Sequence, residues 1–217
     1  MKSKFFHFSA SVLLATGIAG AVVNAPAQAA PKPDVAGICQ VSDISLGGVI
    51  ATACDGATAG NDTGSGNPLE TRLDNGLFSS FVGSGVNWTE LGKSDNSSNG
   101  YIKATNDDND ADKLGDWSLL QQLSSNTFVV SLKSSTYYSA YLFQDYDWSN
   151  GLTGVFNTIG VALDGSGTAG KNLSHASLFV SDIKNTPDPQ AVPEPATLFG
   201  LGLVASGMVI SRRRQSR

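Results

Sequence analysis

An all-β body built from two packed sheets is what this sequence predicts, and three observations carry it. Short apolar runs alternate with period two. Clusters of Gly, Asn, Asp and Ser separate them. No stretch of the body sustains a helical apolar period. Composition agrees: 24 glycines and only 15% charged residues suit turn-rich β architecture better than a helical bundle, which draws on Ala, Leu, Glu and Lys. The expected arrangement is a two-sheet sandwich, with the jelly roll as one form of it.

Along the chain, weaker strand candidates come first: Ile38 to Asp43, Phe78 to Val82, Tyr101 to Thr105 and Trp117 to Gln121. The clearest run is Phe128 to Lys133, where Phe128, Val130 and Leu132 share one face. Lys133-Ser134-Ser135-Thr136 then reads as a hairpin connection. In the following run, Tyr137 to Phe143, Tyr137, Tyr141 and Phe143 share a face. Val155, Ile159, Val161 and Leu163 form another, interrupted by Asn157. Ala176, Leu178 and Val180 complete the set. By length, residues 30–185 make one β-sandwich body. Residues 186–192 follow as a proline-rich linker, which can form neither a helix nor a central strand.

Charge is distributed unevenly. Of 14 basic and 19 acidic residues, six bases and Glu194 belong to the two end segments, so the body with its linker carries a net charge of −10. Such a body repels phosphate backbones, and nucleic acid is not an expected partner. Its two cysteines, Cys39 and Cys54, are expected to form one disulfide in an exported chain, with free thiols or half a metal site as the alternatives.

The first 29 residues read as a signal peptide. Lys2 and Lys4 supply the charged region, Val12 to Val23 the apolar region, and Ala27-Gln28-Ala29 the small-x-small site for signal peptidase. A retained membrane anchor is the alternative, weakened by Gly17, Gly20, Asn24 and Pro26. The C-terminal segment, 193–217, has three parts: Pro193-Glu194-Pro195, a single short hydrophobic helix expected over 196–210, and an Arg cluster over 212–217 containing Arg212, Arg213 and Arg214. The apolar run is shorter than the roughly 20 residues of an ordinary spanning helix, and Gly200, Gly202 and Gly207 interrupt it. By the positive-inside rule the arginines stay cytoplasmic, which leaves the body in the periplasm.

This tail resembles the PEP-CTERM sorting signal, through the Pro193-Glu194-Pro195 triplet, the glycine-containing apolar helix and the terminal arginines. The resemblance implies that the chain is a substrate of an exosortase, a membrane-embedded transpeptidase of Gram-negative bacteria that make exopolysaccharide. It further implies a transient inner-membrane anchor, recognition at the triplet, and delivery to the cell surface or the extracellular space. The prolines fit such a role: they hold an extended segment without amide donors. The alternative is a plain C-terminal anchor behind a proline-rich linker. The body also resembles a group of PEP-CTERM proteins, in Cys54-Asp55-Gly56 with Gly60-Asn61-Asp62-Thr63, Trp88 through Lys93, Ser131-Leu132-Lys133, Ala140 to Phe143 and Leu173 to Phe179. That likeness implies compartment and processing, and no active site.

The residues offer little catalytic chemistry, and the expectation is a protein that is not an enzyme. The body holds one histidine, His175, near Ser174 and Ser177, and has no G-x-S-x-G elbow. A zinc site lacks its histidine and cysteine set. Asp108, Asp110 and Asp112 alternate and could offer three hard oxygens to one Ca²⁺, but Lys113 and Leu119 break the EF-hand pattern; the alternative is a solvated turn. Asp145, Tyr146, Asp147 and Trp148 are the best carbohydrate contact, with rings to stack on a sugar and carboxylates to accept hydroxyls. The alternative there is a turn whose Trp148 folds back onto the core. The leading expectation is a surface or matrix protein associated with exopolysaccharide. A carbohydrate-binding module or adhesin comes second, and a secreted hydrolase third.

Overall fold

The computed structural model describes residues 32–96, 100–106 and 113–184. The strands are β1 (Val35–Ala36), β2 (Ile44–Leu46), β3 (Val49–Ile50), β4 (Ala53–Ala59), β5 (Trp88–Lys93), β6 (Ile102–Asn106), β7 (Gly115–Leu119), β8 (Phe128–Ser134), β9 (Tyr137–Phe143), β10 (Thr153–Phe156), β11 (Ala162–Leu163) and β12 (Leu173–Ser181). Two short helices, α1 (Pro68–Asp74) and α2 (Ser79–Val82), lie between β4 and β5. Two five-stranded sheets form the sandwich: a back sheet ordered β3-β2-β10-β7-β6 and a front sheet ordered β4-β9-β8-β12-β5. All pairings are antiparallel, and β1 and β11 make a small separate pair.

The hairpin β8–β9 shows why the front sheet forms. Its register runs from Ser134↔Tyr137 to Phe128↔Phe143, leaving Ser135 and Thr136 as a two-residue turn. Ser135 adopts φ 50°, the left-handed conformation that tight hairpin turns demand. Side chains then alternate. Phe128, Val130, Leu132, Tyr141, Phe143, Ala176, Leu178 and Val180 point between the sheets, where they meet Ile44, Leu46, Ile102, Trp117, Leu119 and Phe156 of the back sheet. Val129, Tyr138, Ala140, Leu142 and Phe179 point the other way, into a second core closed by Trp88 and by Leu69, Leu73 and Phe78 of the helical cover.

Helix α1 was not visible as an apolar period, because it is only two turns long. It starts on Asn67 with Pro68 in its first turn, where a missing amide proton costs nothing. Leu69 and Leu73, four residues apart, enter the second core fully buried, each contributing about 1.5–3 kcal/mol. Arg72 fastens the helix to the sheet. It reaches Asp55 Oδ2 at 2.6 Å and donates to Thr58 Oγ1 and the Tyr138 hydroxyl, both at 3.1 Å.

Three strand expectations need correction. Phe78 to Val82 is the helical turn α2, entered through Phe78 at φ 69°. Ile38 to Asp43 is no strand: Ile38 is 82% exposed, and Val41–Asp43 form a 3₁₀ turn capped by Asp43 Oδ2, which accepts the Gln40 amide at 2.7 Å. The same buried carboxylate accepts the Tyr141 hydroxyl at 3.3 Å; burial, together with Asp43's charge, pushes that phenol well above its ordinary pKa. A side chain at Gly160 would overlap Asp43 Oδ2, so only glycine fits there. Finally, Val155 to Leu163 is broken in two. Asn157 gives its amide to the Asp43 carbonyl and accepts the Ile159 amide, turning the chain between β10 and β11.

Candidate functional site

A polar centre built from distant parts of the chain surrounds His175 on the outer face of the front sheet. The connection from β4 to α1 crosses that face. The Gly60 amide is held by the Thr136 carbonyl, and the Asp62 carbonyl receives the Leu69 amide at 3.0 Å. This drives Asp62 into the sheet, where it is fully buried, with Oδ1 2.9 Å from His175 Nε2. The other imidazole nitrogen, Nδ1, lies 3.7 Å from Asp95 Oδ2, and Lys93 stands 3.8 Å from the same carboxylate. The His175 side chain is 11% exposed.

The electrostatics follow from this burial. Desolvation pulls the Asp62 carboxyl upward, but the His175 hydrogen bond and charge, aided by the Ser177 and Ser131 hydroxyls beside it, outweigh that pull and leave it below its ordinary 3.8. Neither hydroxyl closes a fully formed bond, so Asp62 Oδ2, Ser131 Oγ and Ser177 Oγ are buried without partners. Burial lowers the pKa of Lys133, against the charge of Asp62, while its ammonium donates to the Ser135 carbonyl. Burial raises Glu90, and the charges of Asp62 and Glu70 raise it further.

A nucleophilic triad needs one imidazole nitrogen facing a reachable hydroxyl. Here both nitrogens face carboxylates. Ser177 lies beside Asp62 and is completely buried, and Ser174 is exposed one residue before the histidine. The arrangement is that of a clamp that holds the chain between β4 and α1 against the front sheet. Its partners, Asp62 and Asp95, were missed in the sequence because they stand 113 and 80 residues from His175. Glycines on either side of Asn61-Asp62-Thr63 were the one local sign of a chain turning inward.

The turn after β9 follows the alternative read from its sequence, a turn whose Trp148 folds back onto the core, and not that of exposed rings. Tyr146 is 4% exposed, and its hydroxyl donates to the Gly151 carbonyl at 2.8 Å. Trp148, half-buried, stacks on Phe128 with ring centroids 5.7 Å apart and an interplanar angle of 14°; its Nε1 is buried without a partner. Tyr146 packs edge-on against Trp148, Phe128 and Phe143. The rings therefore extend the core, since aromatic stacking outcompetes exposure of so much apolar surface. Asp145 and Asp147 remain exposed; Asp147 caps the following 3₁₀ turn by accepting the Ser149 amide at 2.9 Å.

Cys39 and Cys54 form the disulfide, with Cα atoms 6.2 Å apart, which excludes free thiols and a metal role for the pair. Asp108, Asp110 and Asp112 lie outside the described residues, as do residues 1–29, expected to be a signal peptide, Pro193-Glu194-Pro195 and Arg212 to Arg214. Among the described residues no group of three His, Cys, Asp or Glu side chains could hold a metal ion, and no helix is long and apolar enough to cross a membrane.

The back sheet offers a different surface. On its outer face Thr105, Asp116, Val155, Ser45 and Ile50 make one cross-strand row, and Lys103, Ser118 and Thr153 another. Two shallow grooves of about 480 and 400 Å³ share Thr105 and Asp116 there. No cover lies over this face among the described residues: Val155 is 54% and Ile50 50% exposed.

Comparison with known proteins assigns the end of the chain. No curated protein and no solved structure matches this sequence. The family model for the PEP-CTERM protein-sorting motif matches residues 191–214, a span that contains the proline-glutamate-proline triplet, the apolar run and three of the terminal arginines. The chain thus carries a PEP-CTERM sorting motif behind a β-sandwich body, and is an exported protein addressed to an exosortase.

Proposed function

We propose that the body is a non-enzymatic structural protein of the cell surface or extracellular matrix, associated with exopolysaccharide after exosortase processing. The sorting motif at 191–214 is the observation that carries this reading. It is supported by a disulfide-stapled sandwich in which the buried Asp62–His175 pair acts as a clamp. Signal peptidase and exosortase are then the two processing partners, and the inner membrane a temporary one. Intact-mass spectrometry of the protein recovered from its host tests the route. The expected species lacks residues 1–29 and everything beyond the triplet, and is about 2 Da lighter than the reduced chain because each disulfide removes two hydrogens. Recovery of the full tail, arginines included, would reject the processing. Co-fractionation with host exopolysaccharide, lost when the polymer is absent, tests the association.

A second reading, a carbohydrate-binding module, is favoured by the grooved outer face of the back sheet. Thr105, Asp116, Ser118 and Thr153 offer hydroxyls and a carboxylate to a glycan, and Val155 an apolar contact. Retardation in a polysaccharide gel that is unchanged in an Asp116→Ala, Thr153→Ala variant would remove that face.

A further inference from the structure

The two ends of the body lie at opposite poles of the sandwich. Strand β12 runs the whole length of the front sheet: nine residues, or about 27 Å over eight steps of roughly 3.4 Å. Its last residue, Ser181, pairs with Trp88 and sits beside Thr127, and Asp182 binds the Asn87 amide and side chain at 3.1 and 2.6 Å. The connections at this pole are those around Gly47, Asn87, Asn126 and Asp145 to Leu152, as the Tyr146-to-Asn126 and Gly47-to-Thr153 backbone bonds require. At the other pole lie the β8–β9 turn, Gly60, Asn106 and the start of β12, tied by the Asn106–Leu173 bonds. The first described residues are there too: Lys32 packs on Gly165, and Asp34 is bound by Ser135 and by Lys171.

The chain outside the structure fixes what this polarity means. After Lys184 only residues 185–192 precede the Pro193-Glu194-Pro195 triplet, and the apolar run starts at Ala196. Eight residues reach at most about 26–29 Å when fully extended. The tail-side pole is therefore held within about one strand length of the site where the motif is read. The charged groups in its described connections, Asp145, Asp147 and Asp182 beside Lys184, give this pole a net negative charge, so no electrostatic attraction to anionic lipid headgroups pulls it onto the bilayer surface.

We infer that, while the tail anchors the chain, the tail-side pole is the membrane-facing surface, and that the pole formed by Asp34, Ser135 and residues 164–172 is turned away from the bilayer into the periplasm. The inference rests on anchoring by the tail. It places Asp145 and Asp147 in the shadow of the bilayer. It presents outward a cleft of about 460 Å³ lined by Lys113, Ser135, Lys171, Asn172 and Ser174.

The test uses the full-length mature chain reconstituted into lipid vesicles. A recognition site for a sequence-specific protease is inserted in one variant between Ser166 and Gly167, at the outward pole. In a second variant it is inserted between Ser124 and Ser125, at the tail-side pole. In each, the body released from its tail serves as the folding control, where both sites must be cut at similar rates. Flotation with the vesicles reads anchoring by itself. On floated chain, the outward site is expected to be cut at least about tenfold faster than the tail-side site. Equal rates, or the reverse order, on floated chain would overturn the polarity while leaving anchoring intact. Failure to float would overturn the anchoring reading, and the inference with it.

Discussion

On the front sheet the outer face is roofed by α1 and α2, so that β8 and β9 bury side chains on both sides, while on the back sheet no described residue covers the equivalent face, with Val155 at its centre. The sequences differ accordingly. The run Phe128-Val129-Val130-Ser131-Leu132 is apolar apart from Ser131, and Tyr138 to Phe143 is apolar apart from Ser139. In β10 and β7, by contrast, small or polar residues occupy the outward positions: Thr153, Asp116 and Ser118. A continuous apolar run marks a strand buried on two faces; alternation marks one with a wet side. Stability is thus concentrated in the front sheet and its cover, and the back sheet keeps a surface on which substitution is cheap.

The largest effect that would break this contrast is at Leu73. Leu73→Ala opens a cavity beneath α1 and is expected to cost about 2–5 kcal/mol in urea unfolding; a loss under 1 kcal/mol would mean that the roof is ornamental. Next comes the clamp. Asp62→Asn is expected to cost about 1–3 kcal/mol at pH 7. Because the folded Asp62 carboxyl lies below its unfolded value, its contribution is complete above about pH 4 and is lost as pH falls through the depressed value. The gap between wild type and Asp62→Asn should therefore narrow from pH 5 towards pH 2. A constant gap across that range would show that charge plays no part. The smallest effect is on the bare face: Val155→Thr is expected to change stability by no more than about 0.5 kcal/mol, and a larger loss would reveal a cover over the back sheet.

The front-sheet hairpin was legible because pattern and turn coincide: Phe128 to Leu132, a Ser-Ser-Thr connection, then Tyr137 to Phe143. The second face of those strands was not, since Val129, Tyr138, Ala140 and Leu142 become core only through a helix whose own signal is two leucines among Glu70, Thr71 and Arg72. In Val155 to Leu163 the interruption at Asn157 was visible, but periodicity does not show that its side chain, by accepting the Ile159 amide, turns the backbone and splits the run in two. The clamp escaped for a different reason. A lone histidine says nothing about which of 17 body carboxylates will meet it, and only the tertiary path of Gly60 to Asn67 decides that. In the turn after β9, the choice between an exposed ring and a buried one depended on Phe128 being within reach, a long-range fact.

Strand β12 closes the front sheet between β8 and β5, yet it is the last strand of the body to be made. Until it inserts, β5 has no neighbour in its sheet, and the core lacks Ala176, Leu178 and Val180. A chain emerging amino-terminus first through a secretion channel therefore completes its fold only when the segment next to the sorting motif has come through. Truncated products, which lack both the closing strand and the motif, fail twice over. Folding and addressing thus reach completion within the same few residues of translocation.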